Sequence, residues 1–298
     1  MIEKNTTTVL VYPKLPSKFD FSFIRVRGSG LANCLFVAAK CYILVDKYGW
    51  KHIEPTWHNL SLGPYLRGEK DKRHYANLFA KRGVSGVTKL YHLLCTSRLS
   101  LDGAFRGETG VLVIEGIETY FEDIRNNHKL VLEKIMDSIK PDVLSGVLKV
   151  NFRKVIGIHV RLGDYSLSRK TALEWYINLV SQIVLEYGDE YQFYVFSDGT
   201  EQELAEILSQ PNTTKVFFGS AIADIIALSK CEFIIGSDST FSAWGAYLGQ
   251  VPIVFPKRHF SNVLVERKNE LVSDADPSKT HFFLKKILDE IHIKYEEY

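Results

Sequence analysis

Residues 154–165 read KVIGIHVRLGDY, a run that after Lys154 is apolar to Val160 but for His159 and stops at an Arg, a Gly and an Asp. A strand apolar at nearly every position is buried on both faces, and such strands occur in parallel sheets. The sequence downstream has the rhythm that such a sheet needs. Ala172–Tyr187 predicts a helix, Tyr191–Ser197 (YQFYVFS) a strand, Glu201–Ser209 a helix and Lys215–Phe218 a short strand. Ala221–Ser229 predicts a helix, Glu232–Gly236 (EFIIG) a strand, Thr240–Leu248 a helix and Pro252–Phe255 a strand. His281–Ile293 is apolar at Phe283, Leu284, Ile287, Leu288 and Ile291 and closes the chain as an amphipathic helix. Strands alternating with helices at this spacing specify a doubly wound α/β sheet.

The upstream half repeats the theme less regularly. An extended segment, Phe21–Arg27 (FSFIRVR), leads into the glycine turn Gly28-Ser29-Gly30 and a buried helix, Leu31–Tyr48. Residues 49–54 hold a short strand, and residues 55–110 read as irregular with short helices. Val111–Glu115 is a strand, and a helix from about Phe121 to Lys140 is stopped by Pro141. The expectation is an α/β protein of two Rossmann-like domains, residues 1–150 and 151–298, which suits a chain of 298 residues. Ligands of such sheets bind at the carboxyl ends of the strands, so chemistry is sought after residues 27, 160, 197 and 236.

Composition narrows the classes. The chain is 46% hydrophobic and 24% charged, which is ordinary globular usage. A net charge of +2 offers no bulk polycation for nucleic acid. Cys34, Cys41, Cys95 and Cys231 are scattered without a C-x-x-C pair, which argues against a zinc site or disulfide framework and fits a reducing compartment. The opening residues show no secretory pattern, and no run of about 18 apolar residues occurs. A cytoplasmic protein is expected, with room for peripheral contact at the inner face of the membrane.

The loops at the strand ends carry the chemistry. After His159 and Val160 come Arg161, Leu162, Gly163 and Asp164. An Arg there can offer forked donors to a phosphate while a Gly lets the backbone approach, although a plain turn with an Arg–Asp ion pair fits equally. Ser197-Asp198-Gly199-Thr200 is turn chemistry that serves best as a helix cap. Gly236-Ser237-Asp238-Ser239-Thr240-Phe241-Ser242 places a run of hydroxyls at a helix N-terminus, more than a cap requires, and reads as an anion site. Gly28, Gly30 and Asn33 form a candidate cleft loop resembling an incomplete dinucleotide fingerprint. Asp274-Ala275-Asp276 has the D-x-D spacing of a metal–diphosphate site but reads better as a solvated loop. The basic run Arg67, Lys70, Lys72, Arg73, Lys81, Arg82, interrupted by Glu69 and Asp71, reads best as a solvated face, with a rim for an anionic acceptor or a membrane surface as its other reading.

These blocks resemble the α-1,2-fucosyltransferases of glycosyltransferase family 11. His159-Val160-Arg161-Leu162-Gly163-Asp164-Tyr165 is similar to that family's H-V-R-x-G-D-Y motif, and Phe196-Ser197-Asp198 to its F-S-D-D block. Asp224 to Cys231, followed by Ser239 to Ala246, resembles its D-x-x-x-(M/L)-S-x-C … N-S-T-F-S-W-W-x-A block. Residues 28–36 loosely resemble its G-G-L-G-N-Q-L-F opening. Four positions depart. Leu162 stands for a second Arg, Gly199 for a second Asp, Asp238 for Asn and Ala243 for Trp.

The resemblance implies a GT-B fold in which the second domain holds GDP-fucose, with no divalent metal or other cofactor. It places Arg161 on the β-phosphate and His159 and Asp224 against the guanosine. Gly163, Ser197 and Asp198 join the donor site, and Ser239, Thr240 and Phe241 close over the diphosphate. The implied partners are a nucleotide sugar and a glycan acceptor carried on lipid, without nucleic acid. Asp164 is the candidate general base, with orientation of Arg161 as its other reading. Three alternatives stay open: a fucosyltransferase of another linkage, a GDP-sugar-binding protein without turnover, and an NAD-dependent dehydrogenase built on the Gly28–Asn33 turn.

Overall fold

The computed structural model describes residues 8–163, 170–257, 262–273 and 277–296. The chain divides into two compact units, Met1–Leu62 with Lys72–Pro141, and Gly63–Asp71 with Asp142–Tyr298. Against a division at residue 150, the second unit already begins at Asp142, and it also takes in the nine residues 63–71 of the first half. The reason lies in two acids of that segment, described with the site below.

The first unit holds β1 (Val9–Pro13), β2 (Ser17–Asp20), β3 (Arg25–Gly28), α1 (Leu31–Tyr48), β4 (Lys51–His52) and β5 (Asn59–Leu60). In chain order α2 (Gly63–Leu66) follows, a piece of the second unit. Then come α3 (Gly86–Cys95), β6 (Arg98–Leu99), α4 (Leu101–Phe105), β7 (Gly110–Ile114) and α5 (His128–Ser138). A parallel sheet runs β4-β1-β7-β6, and a separate three-stranded sheet runs β2-β3-β5. Strand β1 was not expected, yet all five of its residues are buried and it pairs in register with β7. Its alternate residues pack on opposite faces, Val9 and Val11 on one and Leu10 and Tyr12 on the other. The predicted helix from Phe121 shortens to α5, because Phe121 and Ile124 are drawn into the core by the irregular turns before it.

The predicted strand Phe21–Arg27 is corrected too. Residues 21–24 form the turn between β2 and β3, with Ser22 at φ 69°, and β3 lies outside the parallel sheet. Helix α1 matches its expected bounds. The turn before it spends its N–H groups at home: Gly28 N donates to Asn59 Oδ1 (3.0 Å), Ser29 N to Pro16 O (3.0 Å) and Leu31 N to Tyr75 Oη (3.1 Å). A dinucleotide fingerprint needs a sheet strand before it and open N–H groups after it. At Gly28, Gly30 and Asn33 the preceding strand β3 belongs to the small mixed sheet and not to the parallel one, and the N–H groups of Gly28, Ser29 and Leu31 are already bonded, which is not the setting of a dinucleotide fingerprint.

The second unit contains β8 (Val155–Val160), α6 (Leu173–Tyr187), β9 (Gln192–Ser197), α7 (Ala205–Leu208), β10 (Thr213–Lys215) and α8 (Ala221–Leu228). It continues through β11 (Phe233–Ile235), α9 (Thr240–Gly249), β12 (Ile253–Phe255), β13 (Glu270–Val272) and α10 (Pro277–Glu296). The sheet is parallel throughout, in the order β10-β9-β8-β11-β12-β13. All six residues of β8 are buried, as its apolar run demands. Helices α6 and α10 cover one core through Tyr176, Val180, Leu284 and Leu288. The chain starts at β8 and winds outward both ways, so the strand order reverses between β8 and β11. That switch point opens a crevice at the carboxyl ends of the strands.

Candidate functional site

Three loops meet at this crevice, because β9, β8 and β11 are neighbours in register. Arg161 leaves the end of β8 and its Nη1 meets Asp198 Oδ2 at 2.6 Å, past the end of β9. The other oxygen of Asp198 accepts Leu162 N (2.9 Å) and Gly163 N (3.0 Å). Burial alone would raise the Asp198 carboxyl. The Arg161 guanidinium and the two N–H donors more than offset this and hold it below the usual carboxylate range. Gly163 is required here, since a Cβ would collide with Asp198 Oδ2. Asp198 is therefore a clasp between two strand ends, and the helix-cap reading of its loop belongs to its neighbours. Thr200 Oγ1 accepts Glu203 N (3.2 Å) and Glu203 Oε2 accepts Thr200 N (2.8 Å), a reciprocal capping box. Ser197 Oγ accepts Gly199 N at 3.0 Å and tightens the same turn.

Across the switch point, His159 Nδ1 and Ser237 Oγ share a hydrogen bond of 2.8 Å. The His159 ring stacks on Phe241 with centroids 4.8 Å apart. Burial, and next the Arg161 charge, push His159 down to about 3 against the pull of Asp198, so the imidazole is neutral near pH 7. The hydroxyl run is partly occupied within its own loop. Ser239 Oγ caps α9 by accepting Phe241 N (3.3 Å), and Ser242 Oγ donates to Ser239 O (3.3 Å). Thr240 opens the helix beside them. Asp224, on the buried α8, accepts Phe218 N at 2.7 Å. Burial, opposed by that bond and reinforced by Asp71, pushes its carboxyl up to about 8.

Sequence reading missed three contributors. The segment 63–71, read as part of a solvated basic face, is tied in by its acids. Glu69 is buried, pairs with Arg67, and has Oε1 3.4 Å from where a Cβ on Gly163 would stand. Asp71 Oδ2 accepts Ala221 N (3.1 Å) at the start of α8. Lys215, at the end of β10, donates to Gly199 O (2.6 Å) and adds a cation under the Asp198 turn. No periodicity marks such residues, because each acts through one long-range contact. Asp164 and Asp274–Asp276 lie outside the described residues. Gly28, Gly30 and Asn33 belong to the first unit, and the other described site residues to the second.

Residues 117–255 match the model of glycosyl transferase family 11. An α-1,2-colitosyltransferase of Escherichia coli is 25% identical over 256 residues, spanning 74% of this chain and 85% of that protein. The NodZ α-1,6-fucosyltransferase co-crystallised with GDP superposes with a TM-score of 0.51 at 13% identity, covering 83% of this chain and 94% of that one. Its crystal soaked with GDP-fucose gives 0.50 with the same coverage. A structure of this fucosyltransferase is from Bradyrhizobium. The fold shared with these structures is GT-B, with two Rossmann-like units, and the family 11 resemblance of the three sequence blocks holds.

Proposed function

From the family 11 glycosyltransferase region at residues 117–255, we propose an inverting transfer of L-fucose from GDP-fucose to a hydroxyl of an acceptor glycan. The linkage proposed is α-1,2 to galactose, in assembly of a surface polysaccharide such as O-antigen or capsule on a lipid-linked intermediate. The observation that carries the reading is Arg161, which leaves the end of β8 at the switch point and is fixed there by Asp198.

The chemistry follows from where charge develops. As an acceptor hydroxyl attacks the anomeric carbon, the bond to the β-phosphate breaks and negative charge grows on the departing GDP, through an oxocarbenium-like transition state. A preorganised cation stabilises that charge more than it stabilises the intact donor. Leu162 N and Gly163 N are spent on Asp198, so in this loop the phosphate falls to the Arg161 guanidinium. Dipoles at the start of α9, where Thr240 and Phe241 stand, complete the anion site. The reaction drawn this way uses no divalent ion. Neutral His159 serves as a stacked hydrogen-bonding wall for the nucleoside, and Asp224 accepts from guanine N–H groups. Asp164 is the proposed base that takes the acceptor's proton, and Asp198, by already orienting Arg161, favours that role over the orienting one.

The name of the E. coli relative favours a second donor, a colitosyl nucleotide. The test is GDP release in EDTA from each donor, with terminal-galactose acceptors against none. Acceptor-dependent release establishes the transferase and its donor. GDP binding without release across the panel leaves a binding protein, and absence of GDP binding overturns the reading.

A further inference from the structure

Helix α3 of the first unit is built inside out. Its inward face carries Lys89, 5% exposed, and Leu93. Leu93 joins Leu10, Tyr12, Ile53 and Val111 in the core. The Lys89 ammonium donates to Thr56 Oγ1 (3.0 Å) and lies 5.1 Å over the Tyr12 ring. Burying a lysine requires such partners, so this orientation is fixed from within. The outward face is apolar: Val87 is 84% exposed, Leu90 39%, Tyr91 60% and Leu94 73%. At 100° per residue these four positions fall within one arc of about 100°, a continuous stripe along the helix. Soluble proteins seldom leave a coherent apolar stripe to water unless something covers it.

Charge says what covers it. Residues 72–101 contain six Lys and Arg and no Asp or Glu, whereas the rest of the chain holds the other 31 Lys and Arg and all 35 acids. The stretch of sequence that carries this helix is thus purely basic; Lys89 is its buried member, and Arg82 Nε and Nη2 donate to Asp137 O (3.1 and 2.9 Å) at the surface. Lys81 and Arg82 are exposed just before it and Arg98 just after, where Arg98 Nη2 donates to Leu93 O (2.8 Å) and holds its guanidinium at the helix end. An apolar helical face bracketed by basic residues is the chemistry of insertion between anionic lipid headgroups. Among the described residues no helix is long and apolar enough to cross a membrane.

We infer that the outward face of α3 docks the protein on an anionic phospholipid bilayer, with Val87, Tyr91 and Leu94 entering the headgroup layer and Lys81, Arg82 and Arg98 meeting lipid phosphates. This placement is independent of the donor assigned above. A lipid-linked acceptor would be met at that surface.

The test is co-sedimentation of the full chain with vesicles of phosphatidylcholine, with and without phosphatidylglycerol. Binding is expected to the anionic vesicles, to weaken as salt is raised, and to fall about tenfold or more in Leu94→Glu and in Tyr91→Glu. Lys81→Gln should weaken it severalfold. Since these side chains are exposed, the variants should keep the wild-type melting temperature and GDP release with a soluble acceptor. Val87→Glu gives an independent check if one variant is unstable. No binding by the wild type, or binding indifferent to all of these changes, overturns the inference. So does a dimer in light scattering that Leu94→Glu dissociates, which would assign the stripe to a second copy.

Discussion

Leu162 Cδ1 lies 2.6 Å from where a Cβ on Gly199 would stand. The two positions are 37 apart in sequence, and both depart from the family 11 pattern, which has Arg at the first and Asp at the second. In this fold they are one contact. Leu162 is buried in the core of the second unit and uses the volume that Gly199 vacates. The two departures therefore sit in one contact of this chain, an aliphatic side chain packed against a glycine. Gly199→Asp alone should lower stability by about 1–3 kcal/mol through overpacking, before any penalty for the buried charge. The double variant Leu162→Arg/Gly199→Asp should recover part of this, with a coupling of about 0.5–3 kcal/mol in urea unfolding. Strict additivity of the two single changes would dissolve the pair.

Arg161→Ala should lower turnover by on the order of 10²–10³, the loss that follows removal of one preorganised donor to a developing anion. Arg161→Lys should recover little, because an ammonium cannot both meet Asp198 and present a second donor in the same plane. Steady-state GDP release measures both. Near-normal transfer by Arg161→Ala would sink the assignment.

Asp198 gives a pH test. Its folded carboxyl is held below the unfolded value of about 3.9, so it stabilises the fold above that pH, and the contribution disappears as pH falls through the lower, folded value. Urea midpoints of wild type and Asp198→Asn should differ by a constant amount from pH 5 to 7 and converge below about pH 4. Divergence on acidification is the contrary result. Gly163→Ala should resemble Asp198→Asn in turnover, since its methyl would displace the same carboxylate.

Much of this site was legible because its elements are local. The apolar run into β8 and the periodic helices fixed the second sheet and its strand ends, where Arg161, Asp198 and Ser239 were expected. Helix α1 was found to the residue because eighteen consecutive helix-compatible positions lie between Gly30 and Gly49. Strand β1 was missed because five residues ending in Pro13 carry too little pattern to separate from an irregular leader. Glu69, Asp71 and Lys215 were missed for another reason. Each earns its place through a single partner far along the chain, and charge on a polar segment looks the same whether it is solvated or clasped. Asp198 was read as a cap for the same cause: turn chemistry is local, and its bond to Arg161 is not.

The last prediction concerns the proton on Asp224. Its folded value of about 8 lies above the unfolded value, so the folded protein binds more protons between about pH 4 and 8, and stability falls as pH rises through that window. Asp224→Asn should flatten this slope. If guanine N–H groups meet the carboxylate, ionised Asp224 is favoured in the complex, and GDP binding at pH 7 should release close to one proton. His159, at about 3, contributes none. Calorimetry in buffers of different ionisation enthalpy reads that number directly, and Asp224→Asn should abolish it. Asp71 adds the discriminating arm: its negative charge raises Asp224, so Asp71→Asn should lower the Asp224 value and reduce proton release, while its amide oxygen can still accept the Ala221 N–H. Proton release unchanged in both variants would remove Asp224 from the base-recognition site, even with GDP affinity intact.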